Sequence, residues 1–249
     1  PLLLPLGDSA WTVEFGDRID PALHARVMGL NGAIHAARDA GELAGITDLV
    51  PTFRSLTVHY DPLAVDGEQL GARLLRMAEA AGSTTSEGRR WLLPVCCDAE
   101  LAPDLERLAE AKGMAPEGVI ALLTSATYRV YMIGFMPGFP YMGGLPPHLA
   151  MPRLANPRKA VPARSLAVTG EMCAVYPWES PGGWNLLGRT PVPLFDATEE
   201  ATPALLESGD QVRWRVVDRA EYEHIAGELA TGRLGRTNFR IATEAAWPA

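Results

Sequence analysis

Apolar residues alternate over Trp11-Thr12-Val13-Glu14-Phe15, placing 11, 13 and 15 on one side, the period of a half-buried strand. Asp20-Pro21 then opens a helix, because Asp suits the N-cap and Pro the first turn. Leu23, Val27, Leu30 and Ile34 recur along it at helical spacing, which predicts a helix over 20–38. Ile46–Pro51 and Phe53–Tyr60 read as strands, the second with Leu56, Val58 and Tyr60 facing one way and Thr57 and His59 the other. Asp61-Pro62 closes that strand, and Leu70, Leu74, Met77 and Ala81 form the stripe of a second helix over 67–81 that stops at Gly82. Residues 82–88 read as a polar loop, followed by a strand from Trp91 to Cys96. The order βαββαβ predicts a ferredoxin-like domain over 1–97.

The pattern changes afterwards. Pro103–Lys112 reads as a short amphipathic helix with Leu105 and Leu108 inward and Gly113 as its stop, and Pro116–Thr124 as another. From Tyr128 to Val216 short strands alternate with Gly/Pro turns, which predicts a barrel or sandwich over 98–249. The fold class expected is therefore α+β.

Proline concentrates in one place: eleven of the 21 prolines lie between Gly134 and Pro193. Phe135, Phe139, Tyr141, Tyr176, Trp178 and Trp184 are interleaved with them, so the segment has the apolar content that disordered chains lack. A rigid, turn-dense aromatic surface is expected, and function concentrates on such surfaces. Net charge is −8, from 30 acidic and 22 basic side chains, which argues against nucleic-acid binding. The proline segment runs the other way, with Arg153, Arg158, Lys159, Arg164 and Arg189 against Glu171 and Glu179. That local charge suits a small carboxylate or phosphate, or else carboxylates elsewhere in the chain.

Three cysteines make no disulfide framework, and neither they nor the five histidines show metal-ligand spacing, so no metal site is expected. Cys96 and Cys97 are adjacent, so on a strand they point to opposite faces and one is core filler. No apolar run approaches the ~20 residues that span a bilayer. The opening Pro1–Leu6 lacks a basic flank and does not read as a signal peptide, leaving the cytoplasm as the expected address. There is no P-loop, no dinucleotide fingerprint and no nucleophile elbow. Ser180 has no local base. Pro181-Gly182-Gly183 reads as a tight turn with φ > 0 whose N–H groups suit an oxyanion or phosphate, and Trp184 as core packing.

The runs Gly134-Phe135-Met136-Pro137-Gly138-Phe139-Pro140-Tyr141, Pro152-Arg153, Pro157-Arg158, Val161-Pro162, Tyr176-Pro177 and Ser180-Pro181-Gly182-Gly183-Trp184 through Gly188-Arg189-Thr190-Pro191 closely resemble one family. It is the KipI / allophanate hydrolase subunit 1 family, whose members are also known as the B-type subunits of 5-oxoprolinase. The resemblance extends to Gly7-Asp8-Ser9-Ala10, Val50-Pro51, Asp61-Pro62, Pro94-Val95-Cys96, Pro103-Asp104-Leu105 and Gly209-Asp210. It implies a ferredoxin-like N-terminal domain and a cyclophilin-like β-barrel behind it. It also implies ATP as cofactor and a partner like allophanate hydrolase subunit 2, the C-type subunit of 5-oxoprolinase. A third, LamB/YcsF-type subunit then completes ATP-dependent opening of 5-oxoproline to glutamate. One member of the family instead inhibits a histidine kinase.

Against the family pattern, Cys96-Cys97-Asp98-Ala99 stands where Cys-Tyr-Gly-Gly is usual, and Leu123 where a histidine is usual. Met172-Cys173-Ala174 replaces Gln-Thr-Gly, and Arg164 replaces the glycine of Pro-Ala-Gly-Ser. Losing an imidazole and an amide removes groups that move protons. The leading reading is one subunit of an amide-cleaving hydrolase, inactive alone. Arg153, Arg158 and Arg189 hold an anion on this reading, Pro181, Gly182 and Gly183 present backbone donors beside Trp184, and Asn185 orients an amide. Pro137, Gly138, Phe139, Pro140, Tyr141 and Tyr176 form the family-motif surface. A KipI-like protein-binding regulator and a catalytically degenerate assembly subunit are the alternatives.

Overall fold

The computed structural model describes residues 1–82, 88–242 and 247, so most of the expected polar loop at 82–88 lies outside the described residues. The chain forms two compact units, Pro1–Glu87 and Gly88–Ala249.

The first unit runs β1 (Leu2–Pro5), β2 (Ala10–Glu14), α1 (Pro21–Asp39), β3 (Ile46–Pro51), β4 (Ser55–Tyr60) and α2 (Gly67–Ala80). Both helices lie where the apolar spacing puts them. Asp20 caps α1 by accepting from the Ala22 N–H, and Asp66 caps α2 by accepting from Glu68 and Gln69. Val27, Leu30 and Ile34 of α1 and Leu70 and Leu74 of α2 pack with Val13, Leu56 and Val58 into one core.

The ferredoxin-like expectation fails on the fourth strand. The sheet order is β1-β2-β4-β3, so the unit is ββαββα rather than βαββαβ. One outer strand is β1, where Leu2 and Leu4 are exposed and Leu3 packs on the core, and a run of leucines shows no apolar/polar alternation to read. An edge strand tolerates Pro5, which a central one would not.

The second unit runs β5 (Arg90–Val95), α3 (Leu105–Lys112), α4 (Pro116–Ser125), β6 (Tyr128–Ile133), β7 (Pro140–Gly143), β8 (Arg158–Val161), β9 (Ser165–Thr169), β10 (Met172–Val175), β11 (Ser180–Gly182), β12 (Asn185–Arg189), β13 (Gln211–Val216), α5 (Arg219–Ala230) and β14 (Arg240–Ile241). β5 belongs here, parallel to β13 with Trp91 opposite Val212 and Leu93 opposite Trp214. The unit boundary therefore falls before this strand, not after residue 97. Trp91, Leu93 and Val95 are sealed in the second core with Val212 and Trp214, which holds the strand there.

The expected cyclophilin-like barrel is also corrected. Eight strands form an open mixed sheet in the order β12-β9-β10-β7-β6-β13-β5-β14, and no ladder joins its edges among the described residues. The two-residue β14 occupies the free side of β5, and α3 and α4 cover the core through Leu105, Leu108, Val119 and Leu123. One antiparallel bridge, between Cys96 and Arg189, ties the β12 edge to the chain beyond β5. β8 and β11 stand apart as a two-stranded ribbon. Cys96 and Cys97 are both buried, Cys97 in the main core and Cys96 in a separate cluster with Leu101, Val217, Tyr222 and Ile225, and burial pushes the Cys97 thiol up to about 12. No helix among the described residues is long and apolar enough to cross a membrane.

Asp210 is the main polar anchor of this unit. Its carboxylate accepts from the Arg89 backbone and guanidinium, the Trp91 indole and the Glu207 N–H at 2.7–3.1 Å. Asp210→Ala strands these donors and is expected to lower unfolding free energy by about 3–5 kcal/mol in a urea titration. A loss within the scatter of surface variants would show that the network is not an anchor.

Candidate functional site

The proline-rich segment folds around a cleft of about 370 Å³ lined by Phe135, Phe139, Tyr141, Arg153, Pro157, Tyr176, Pro181, Gly182, Gly183 and Trp184. β7 presents Tyr141, the end of β10 leads to Tyr176, and β11 with the two residues before β12 supplies Pro181, Gly182, Gly183 and Trp184. Phe139 meets Tyr176 edge-on with centroids 5.1 Å apart and Trp184 edge-on at 6.1 Å, and all three are buried. Tyr141 lies 5.9 Å from Trp184. These T-shaped contacts make a fixed aromatic floor. Burial raises the pKa of both Tyr141 and Tyr176, offset in part by the positive charge of Arg153 at Tyr141 and by a Trp184 backbone hydrogen bond and then Arg153 at Tyr176.

The loop into β7 has two left-handed residues, Phe135 at φ 68° and Gly138 at φ 75°. At Gly138 an added Cβ would sit 2.7 Å from that of Phe195, so glycine is required twice over. Pro137 is exposed on this loop, while Pro140 begins β7 in the interior. The Pro181-Gly182-Gly183 run is not the expected turn. Ser180–Gly182 is a strand against β8, and none of the three residues has positive φ. Gly182 is needed for another reason: an added Cβ would collide with the Tyr176 hydroxyl.

The expected arginines separate. Arg153 is exposed at the cleft and makes no ion pair among the described residues. Arg158 instead donates to Asp104 Oδ1 at 2.8 Å and weakly to the Trp184 carbonyl, which commits it to the scaffold. Arg189 does not line the cleft; its backbone is bridged to Cys96. Its Nε is buried without an acceptor among the described residues. Asn185 cannot orient a substrate amide. It is fully buried, its Nδ2 donates to Pro152 and Val168 carbonyls at 3.0 and 3.1 Å, and its Oδ1 accepts from Arg107. Trp184 packs as expected of a core residue and still floors the cleft.

Of the departures from the family pattern, Met172 packs against the aromatic cluster beside the cleft, whereas Leu123 is buried in the main core. Arg164, which stands where the family pattern has glycine, has a left-handed backbone at φ 67°. The sequence placed Phe135 and Pro157 in the aromatic, proline-rich segment without marking them as lining residues, and it did not point to Asp104 as the partner of Arg158. Asp104 was visible only as part of the Pro103-Asp104-Leu105 run.

ATP, which the family resemblance implies, is a poor match for this cleft. A triphosphate needs several converging donors, and here one guanidinium, without an ion pair among the described residues, shares the lining with aromatic rings and no glycine-rich strand-to-helix loop. No nucleotide step is assigned to these residues. Among the described residues no three His, Cys, Asp or Glu side chains gather as for a metal.

The family model "Carboxyltransferase domain, subdomain C and D" matches residues 1–206. The chain is 36% identical over 237 residues to the B-type subunit of 5-oxoprolinase from Bacillus subtilis, covering 87% of this chain and 93% of that protein. Against the B-type 5-oxoprolinase subunit of Haemophilus influenzae the identity is 39% over 180 residues, 72% of this chain and 84% of the other. Among solved structures, TTHA0988 superposes with a TM-score of 0.72 at 35% identity over 84% of this chain, and the chain spans 40% of that longer one.

The two cleft-side arginines make opposite predictions. Arg158→Ala leaves the buried Asp104 carboxylate with fewer donors and is expected to cost about 3 kcal/mol of stability. Arg153→Ala is expected to stay within about 0.5 kcal/mol of the parent. Calorimetric melting of both variants checks this, and equal losses would contradict the division of roles.

Proposed function

The chain belongs to the family of B-type 5-oxoprolinase subunits, and from that premise we propose that it serves as the B-type member of an amide-cleaving assembly. Its aromatic cleft seats a small carboxylate-bearing lactam of the 5-oxoproline kind, and a partner like allophanate hydrolase subunit 2 completes the site. The observation that carries this reading is Arg153, exposed and without an ion pair among the described residues, beside a buried floor of Phe139, Tyr176 and Trp184. A guanidinium binds a carboxylate through paired N–H groups, and the rings offer flat surface to a planar lactam. Tyr141 and Tyr176 add phenolic hydroxyl groups able to donate to a carbonyl.

Binding does not amount to turnover. The lining residues include no nucleophile with an adjacent base, so the chemistry requires groups from elsewhere. We assign those groups to the allophanate hydrolase subunit 2-like protein and a third protein of LamB/YcsF type, and ATP chemistry to the assembly outside this cleft. Phe135 and Pro181 are exposed at the cleft, and with the exposed Pro137 and Trp178 of the same segment they offer the partner an aromatic and proline-rich surface. That surface also supports the second reading, a KipI-like regulator that docks on another protein. Three unpaired, buried thiols fit a reducing cytoplasm.

The test is reconstitution with the two partners, the allophanate hydrolase subunit 2-like and the LamB/YcsF-type proteins, and assay of 5-oxoproline-dependent ATP hydrolysis. The chain alone is expected to be inactive and the complex active. Arg153→Ala in an intact complex is expected to lower kcat/KM about 10- to 100-fold, the loss of one charge-assisted hydrogen-bonded contact. Turnover by the chain alone, or an Arg153→Ala complex with parental kinetics, would contradict the proposal.

A further inference from the structure

Phe135 is disfavoured twice in the chain taken by itself. Its φ of 68° lies in the left-handed region, which bulky side chains rarely adopt. Its ring is 66% exposed, so burial does not recover that strain. The conformation is nevertheless held by defined contacts: Gly134 N–H donates to the Phe139 carbonyl, and Phe139 N–H to that of Met136, both at 3.1 Å. The ring stands edge-on to Phe139, centroids 5.5 Å apart, and lines the cleft whose floor is buried. A glycine or asparagine would make the same turn with less strain. Strained, over-determined backbone of this kind clusters at ligand clamps.

We propose that Phe135 is the specificity-determining rim of the cleft. Its left-handed backbone sets the ring across the mouth, where it closes on the edge of a small planar carboxylate and limits how long a ligand can be. The inference rests on the proposed ligand site, but it concerns ligand size rather than the identity of the natural substrate.

The experiment compares the full-length chain with Phe135→Gly by isothermal calorimetry, using 5-oxoproline, benzoate and 2-naphthoate, together with a melting curve. Phe135→Gly is expected to bind the two smaller probes about three- to tenfold more weakly, through loss of one aromatic face. Its preference for benzoate over naphthoate should shrink or reverse, and its Tm should lie between the parental value and about 4 °C above it. A merely structural role would lower Tm and leave the size preference unchanged, and that result overturns the inference. Unchanged affinities and size preference with an unchanged or higher Tm overturn it as well. Binding of benzoate but not 5-oxoproline by the parent chain would reject the proposed ligand while still testing the rim. Binding of none of the three probes would reject both.

Discussion

The wall of the cleft is held to the second unit by one buried carboxylate. Asp104 stands at the start of α3, where an aspartate ordinarily caps its own helix, yet it makes no side-chain cap bond. Its Oδ2 accepts instead from the Leu186 N–H at 2.7 Å, across 82 residues of sequence, and its own N–H donates back to the Leu186 carbonyl. Oδ1 accepts from Arg158 at 2.8 Å. A carboxylate at 4% exposure is tolerated because a guanidinium and a backbone donor replace the water it gave up. The pairing joins α3 to β12 and to β8, and β8 carries β11, the strand beside the aromatic floor.

The division of labour in the site follows from that anchor. Arg158 is occupied by Asp104 and Asn185 by two carbonyls and Arg107, so neither is available to a ligand. Arg153 remains, on a loop whose neighbour Leu154 is fixed by donating to the Gly183 carbonyl at 2.7 Å. Phe139, Tyr176 and Trp184 lock one another edge to face, and Gly182 leaves room for the Tyr176 hydroxyl. A ligand entering such a site has little side-chain order left to impose, which lowers the entropy lost on binding. The chemistry is another matter, since the tyrosines and one arginine of the lining offer hydrogen bonds and charge but no nucleophile with a base beside it.

How much of this was legible in the sequence depended on range. The two long helices of the first unit were, because a cap and an apolar stripe lie within one segment. Strand β5 was legible as a strand but not as a member of the second sheet, since the Trp91 indole bonds Asp210, 119 residues away. β1 left no pattern because leucine stands at both its solvent-facing and its core-facing positions, Leu2 and Leu4 exposed and Leu3 packed on the core. Arg153 and Arg158 share a Pro-Arg context and look equivalent in sequence; Asp104, 54 residues before Arg158, decides between them. The glycine run was recognised as special for the wrong reason, since at Gly182 a neighbouring phenol and not the backbone angle excludes a side chain. Phe135 was legible only as one of several aromatics of the proline-rich surface, because the backbone conformation that sets it apart leaves no mark in the sequence.

The central claim is that the Asp104–Leu186 link makes the cleft before any ligand arrives. Amide hydrogen exchange at Asp104 and Leu186 in the free chain measures it directly. Both amides are expected to be protected nearly as strongly as the core strands, opening only when the unit unfolds. Fast exchange at Leu186, with the core strands still protected, would mean that the wall opens on its own and that the cleft is not preformed.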